Sequence, residues 1–177
     1  SLDAAIYDLD NTDATNELIQ AKKRGVKVRI VTDTDSMKSL ENPTLPRKAI
    51  EDLKAASIPV VDDKRSGLMH NKFIIVDNTK VWTGSYNLST PDMYLFNQNV
   101  VLINSTELAQ NFNAQFNQLF NGNFSNKPAL VIPNPIVNVG DANIKTYFSP
   151  GGGTLQAILN VLKTAIKVKF IMHKSTS

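Results

Sequence analysis

The stretch HNKFIIVDNTKVWTGSYN runs from His70 to Asn87 and decides how the rest of the chain is read. FIIVD and KVWTGS are rich in β-branched and aromatic residues, which favour a pleated, buried ladder, so they predict two strands joined by a hairpin turn at Asn78-Thr79. Residues two apart on a strand share a face, so His70 and Lys72 project side by side. A hairpin that folds back brings Gly84-Ser85-Tyr86-Asn87 to the same end, adding the Ser85 hydroxyl and the Asn87 amide. An imidazole, an ammonium and neutral donors together form a cup suited to a phosphate diester. Lys72 supplies charge, Ser85 and Asn87 bond nonbridging oxygens, and a neutral His70 nitrogen can attack phosphorus.

The joint spacing H-x-K-x4-D-x6-G-S-x-N, filled at His70, Lys72, Asp77, Gly84, Ser85 and Asn87, resembles the signature of the phospholipase D superfamily. The flanks AAIYDL, AKKRGVKVRIVTD, ASIPVVDD and FNQNVVLIN are similar to its small bacterial endonucleases and cardiolipin hydrolases. The likeness covers about two thirds of the chain. It implies an α/β fold, a mixed, largely parallel sheet flanked by helices. It implies phosphodiester hydrolysis through a phosphohistidine, with no metal ion and no organic cofactor. His70, Lys72 and Asp77 are then the catalytic candidates, and Lys72, Ser85 and Asn87 the phosphate-binding ones. Gln98 falls where relatives carry the group that orients the nucleophilic histidine. An amide there can fix a tautomer but cannot stabilise an imidazolium by charge. Strand parity puts Asp77 opposite to His70, so it is expected to support Lys72 or the turn. The chemistry needs two histidines and the chain has one complete motif, so the likeness also implies a second half or a homodimer partner.

Composition narrows the field without choosing a substrate. The 177 residues suit one domain, or one and part of another, and contain no apolar run long enough to span a bilayer. Zero cysteines exclude disulfides and thiolate chemistry. A net charge of +3 favours anionic partners, either a nucleic acid or a phospholipid headgroup. The chain opens on Ser1 and enters a strand-like run at once, so its natural N-terminus is expected to lie upstream. No compartment follows from these residues.

Outward from the motif, Leu2 to Leu9 reads as a strand, Asp13 to Arg24 as a helix ended by Gly25, and Val26 to Thr32 as a second, parallel strand. Asp33 and Asp35 have metal-like spacing but no third ligand, so they read as loop. Arg47 to Ala56 is a short helix and Ile58 to Val61 a strand. Lys64 and Arg65 lie in the loop before His70, and Asn97 to Ile103 forms another strand. Asn104 with Glu107 resembles a capping box for the helix ending at Phe120, whose apolar stripe faces a core.

Residues 1–120 therefore form one motif-bearing half, and 121–143 an Asn/Pro/Gly-rich linker. Residues 144–177 resemble the opening strand, helix and strand of a second, truncated half. Phe170 to His173 would repeat Ala4 to Tyr7, and segment 144–166 could supply, in cis or from a neighbour, the opening that the first half lacks. The triple glycine 151–153 has no Walker lysine and reads as a turn. His173-Lys174 are adjacent and would face apart on a strand, so they are not a second catalytic pair. A Ser85-His70-Asp77 esterase triad lacks a nucleophile elbow. Apolar residues Leu88, Met93, Tyr94, Leu95 and Phe96 suggest a lipid-facing rim. A non-catalytic phosphate or nucleic-acid binding module is the alternative from another class.

Overall fold

Ala4, Ala5 and Ile6 have no exposed surface, which makes β1 (Leu2–Ile6) the centre of the sheet. The computed structural model describes residues 1–125 and 129–169. The expected repeat at Phe170 to His173, the His173-Lys174 pair and the middle of the 121–143 segment at 126–128 therefore lie outside the described residues.

After β1 come α1 (Thr12–Lys23), β2 (Val28–Thr32), α2 (Lys48–Ala55), β3 (Val60–Asp62), β4 (Lys72–Val76) and β5 (Lys80–Gly84). A short helix α3 (Thr90–Tyr94), β6 (Val100–Asn104) and α4 (Thr106–Phe120) follow. The six strands form one mixed sheet in the order β3-β2-β1-β4-β5-β6. Pairing is parallel through β1, β2 and β3 and antiparallel from β1 through β4 and β5 to β6. The parallel part follows from helical crossovers, and the antiparallel part from the hairpin.

Local chemistry sets the element ends. Asn11 accepts the Ala14 N–H and starts α1, while Lys22 and Lys23 sit in its last turn, where the helix dipole favours cations. At α4 the cap is Ser105, whose Oγ accepts the Leu108 N–H. The cap expected at Asn104 is thus one residue late, because Asn104 still pairs with Lys80 in β6. In the hairpin, Thr79 N–H closes onto the Val76 carbonyl at 3.1 Å, and Asp77 and Asn78 both take positive φ. Asp and Asn tolerate that left-handed geometry better than most side chains.

Two apolar layers hold the sheet. On one face α1 and α2 bury Leu18, Ala21, Ile50 and Leu53 against Ala4, Ile6, Val28 and Ile30. On the other, α4 lies against β1, β2, β4 and β5, with Phe73 and Phe112 edge to face at 5.0 Å. A buried side chain such as Phe116 contributes about 1.5–3 kcal/mol. Arg29 locks β2 to β1 and α4 together. Its fork bonds both Asp3 oxygens at 2.7 and 2.6 Å, and its guanidinium lies over Phe116 and Phe120.

β6 is a sheet edge whose Val100, Val101 and Leu102 are exposed. It approaches β5 closely at Gly84, where a Cβ would sit 2.1 Å from the Asn99 carbonyl oxygen. Gly84→Ala must therefore push backbone rather than a flexible side-chain end. We expect a loss of about 1–3 kcal/mol in urea unfolding. An unchanged midpoint would mean that β6 is free to move.

Segment 129–146 belongs to the same compact unit as the sheet. Asn111 donates to the Asn134 carbonyl and accepts the Asn134 N–H, both at 2.8 Å, tying this segment to α4. It then forms a hairpin, β7 (Val137–Val139) and β8 (Ala142–Ile144), with Val137 fully buried. Residues 147–169 fall in a second unit, whose described part contains α5 (Thr154–Thr164). The strand expected from residue 144 stops at Ile144, so Lys145 to Phe148 are irregular. Along α5, Leu155, Ile158 and Leu159 are exposed. Among the described residues no helix is long and apolar enough to cross a membrane.

Candidate active site

β4 carries the two central groups to one end of the sheet. Ile6 pairs with Lys72 and Phe73 with Thr83, so Lys72 stands level with Gly84 at the open end of the hairpin. Just upstream, buried Met69 donates its N–H to the buried Asp33 carboxylate at 2.8 Å. That bond anchors the chain immediately before His70. The Asp33 read as loop is thus a latch: its second oxygen accepts the Asp35 N–H, so both oxygens are committed to backbone.

His70 has an exposed edge, and Tyr7 packs edge to face against its ring at 4.7 Å. Burial, then the neighbouring Lys72 charge, lowers the His70 pKa, while Asp33 opposes. The imidazole is therefore neutral at pH 7, with a lone pair available. Lys72 Nζ donates to the His70 carbonyl at 3.2 Å and lies 5.0 Å from the centre of the Tyr7 ring. Burial brings its pKa down to about 8, with Asp92 and Asp8 pulling the other way. At pH 7 it remains mostly protonated, a cation poised near its titration point.

Asn87 is buried at the edge of this cluster. Its Oδ1 accepts the Asp8 N–H at 3.2 Å, and its backbone N–H donates to Asp92 at 2.5 Å. The first bond orients the side chain and the second fixes its backbone, and Nδ2 has no hydrogen bond among the described residues. Ser85 Oγ accepts the Asn99 N–H at 3.0 Å, and Ser85 N–H donates to the Asn99 carbonyl at 2.9 Å. Ser85 thus clamps the β5 exit to the start of β6 while its hydroxyl stays partly exposed.

For two candidates the structure shows other partners. Asp77 takes the second of its two expected places, the turn, away from the cluster: it sits in the hairpin with an exposed carboxylate at the Ser1 amino group, 2.7 Å away. Five residues of extended strand separate it from Lys72, roughly 16 Å. Gln98 turns its Nε2 to Asp92 at 3.0 Å, and Tyr7 packs against the His70 ring. Gln98 thus steadies Asp92, the carboxylate that positions Asn87. The side chains missed from sequence are Tyr7, Asp8, Asp33 and Asp92. Asp8 in turn pairs with buried Arg47 and accepts Ser36 Oγ.

A neutral imidazole beside a half-buried cation, at the open end of a mixed α/β sheet, is the arrangement expected of a phospholipase D-like protein. Residues 1–120 match the family described as "Cardiolipin synthase, PLD-like domain", and the chain belongs to that family. It is 37% identical over 106 residues to a phospholipase D of Rickettsia felis, covering 60% of this chain and 50% of the relative. It is 29% identical over 120 residues to the mitochondrial cardiolipin hydrolase of Xenopus laevis, covering 68% and 54%. Among solved structures, the phospholipase D family member Nuc from Salmonella typhimurium superposes with a TM-score of 0.61 at 30% identity. That match covers 68% of this chain and 78% of Nuc. The chain spans about half the length of the curated relatives it matches.

Proposed function

We propose that the chain is the motif-bearing half of a phosphodiester hydrolase whose nucleophile is His70. The observation that carries this reading is the neutral His70 ring held beside protonated Lys72 at the open end of β4. In the first step a His70 nitrogen attacks phosphorus, and the P–O bond to the leaving alcohol breaks. Lys72, Asn87 Nδ2 and the Ser85 hydroxyl neutralise and bond the nonbridging oxygens. A second imidazolium gives its proton to the leaving oxygen. Water then attacks the phosphohistidine, that second imidazole takes the water's proton, and His70 is freed. The second histidine comes from a missing half or from a second copy of this chain. Among the described residues β6 pairs with no strand beyond β5, and such an edge suits a chain completed by another half.

For substrate, the preferred reading is a phospholipid. Tyr94, Leu95 and Phe96 are 60 to 77% exposed, and they lie between Asp92 and Gln98, the pair that steadies Asn87. Three large, exposed apolar side chains in the segment that joins Asp92 to Gln98 suit an interface with lipid better than a polynucleotide. The relatives named phospholipase D and cardiolipin hydrolase support the same choice.

Hydrolysis of bis(p-nitrophenyl) phosphate in EDTA, across protein concentrations, tests the chemistry. Its phenolate leaves without an acid, so even an isolated copy should release a stoichiometric burst, and turnover should rise with association. Phospholipid vesicles and DNA, compared at matched phosphate, then test the substrate. Faster cleavage of lipid supports the reading, and faster cleavage of DNA replaces it. No burst and no turnover at any concentration would leave a binding module.

A further inference from the structure

We propose that Tyr7 is a positioning residue, its ring the fixed surface on which both His70 and Lys72 rest. This rests on the hydrolase reading, but the contacts behind it do not. The ring meets His70 at 4.7 Å, at 62° between planes, and the Lys72 ammonium lies 5.0 Å from its centroid. One aromatic side chain thus touches the proposed nucleophile and the proposed phosphate-binding cation.

The backbone of Tyr7 makes this a rigid platform. Its N–H donates to Asn71, the residue between His70 and Lys72, at 3.0 Å. Its carbonyl accepts Thr32 Oγ1 at 3.2 Å and Ser36 Oγ at 2.5 Å. β1 ends at Ile6 and the chain bends at Tyr7, which lets the ring swing toward the pair. Without a surface beside it, an exposed imidazole samples several rotamers, and a lysine side chain samples many more. The edge contact restricts the first, and the cation–π contact holds the second with its charge intact.

Burial and the acidic neighbours Asp33, Asp8 and Asp35 raise the Tyr7 pKa, opposed by Arg47. The phenol therefore stays neutral throughout the working range and takes no part as an anion. The ring face and edge carry the role, and the hydroxyl is dispensable. That separates positioning from proton transfer by a single atom.

The test compares Tyr7→Phe, Tyr7→Ala and Tyr7→Leu in the full chain. Activity and its pH profile are followed, with the His70 titration read by NMR. Tyr7→Phe should keep kcat/KM within about twofold and leave the titration unmoved, since it retains the ring. Tyr7→Ala should lower kcat/KM about tenfold or more and move the His70 titration upward, because the ring contributes to the burial that depresses it. Tyr7→Leu keeps bulk without a π face and should also lose about tenfold, which guards against an alanine variant that fails to fold. A phenylalanine variant as impaired as alanine would overturn the proposal by making the hydroxyl essential. So would an alanine variant with wild-type activity and an unmoved His70 titration. If the chain hydrolyses no diester the positioning role falls with the hydrolase reading, and the NMR arm still reports whether the ring shields His70, so the two failures are told apart.

Discussion

His70→Ala is expected to abolish phosphodiester turnover, by about 10⁴-fold or more, while leaving affinity for a non-hydrolysable diester within a few-fold. The asymmetry follows from what each group offers. His70 brings an uncharged nitrogen, so its loss removes the bond-forming atom but little of the attraction for an anion. That attraction resides in Lys72 and the Asn87 amide, both held by partners other than the His70 side chain. Stability should barely change, because the ring is exposed and its packing contact is with Tyr7. Rates, diester binding by calorimetry and a thermal midpoint would be measured on the same preparation. Loss of rate with binding and midpoint retained identifies an enzyme. A variant that still turns over would move the nucleophile to another residue. A wild-type chain that binds without turnover would favour the non-catalytic alternative.

The sheet and the motif were legible from sequence because both depend on short-range pattern. Apolar alternation around Phe73 to Val76 and the β-α-β spacing from Leu2 to Thr32 led to the observed strands within a few residues. Asp77 and Gln98 show where pattern stops. Asp77 belongs to the motif by spacing, yet an extended strand turns spacing into distance, and the positive φ of the turn accounts for an aspartate there. Position alone assigns Gln98 a role, but its bond is decided by α3, a five-residue helix that presents Asp92 to it. Tyr7 was hidden for the opposite reason. The pattern from Leu2 to Leu9 predicts a continuous strand, without the bend that carries the Tyr7 ring to His70. Asp33 looked like any loop carboxylate because its partner, the Met69 N–H, is 36 residues away.

The other large effect is expected at Lys72, and it has a pH signature. Lys72→Met should lower kcat/KM by about 10²–10³-fold, the usual cost of losing one preorganised charge at a reacting oxyanion. In the unaltered chain the ammonium must be protonated to bind the diester, and burial has brought its pKa down to about 8. Activity is therefore fully present below that value and should fall about tenfold per unit as pH rises beyond it. A lysine with an ordinary pKa would hold its charge for about two and a half further units. His70 sets the other limit with the opposite sign. Its depressed pKa keeps the nucleophile neutral at pH 7, so the acid-side loss should begin only below the usual imidazole range. Between these limits lies a plateau near neutrality. Lys72→Arg separates Lys72 from any second histidine acting as the acid, because a guanidinium stays charged to far higher pH. If Lys72 sets the basic limb, the arginine variant loses that limb even though its plateau is lower. If the fall near pH 8 survives the substitution unchanged, the limb belongs to the proton donor, and Lys72 must be charged throughout the working range.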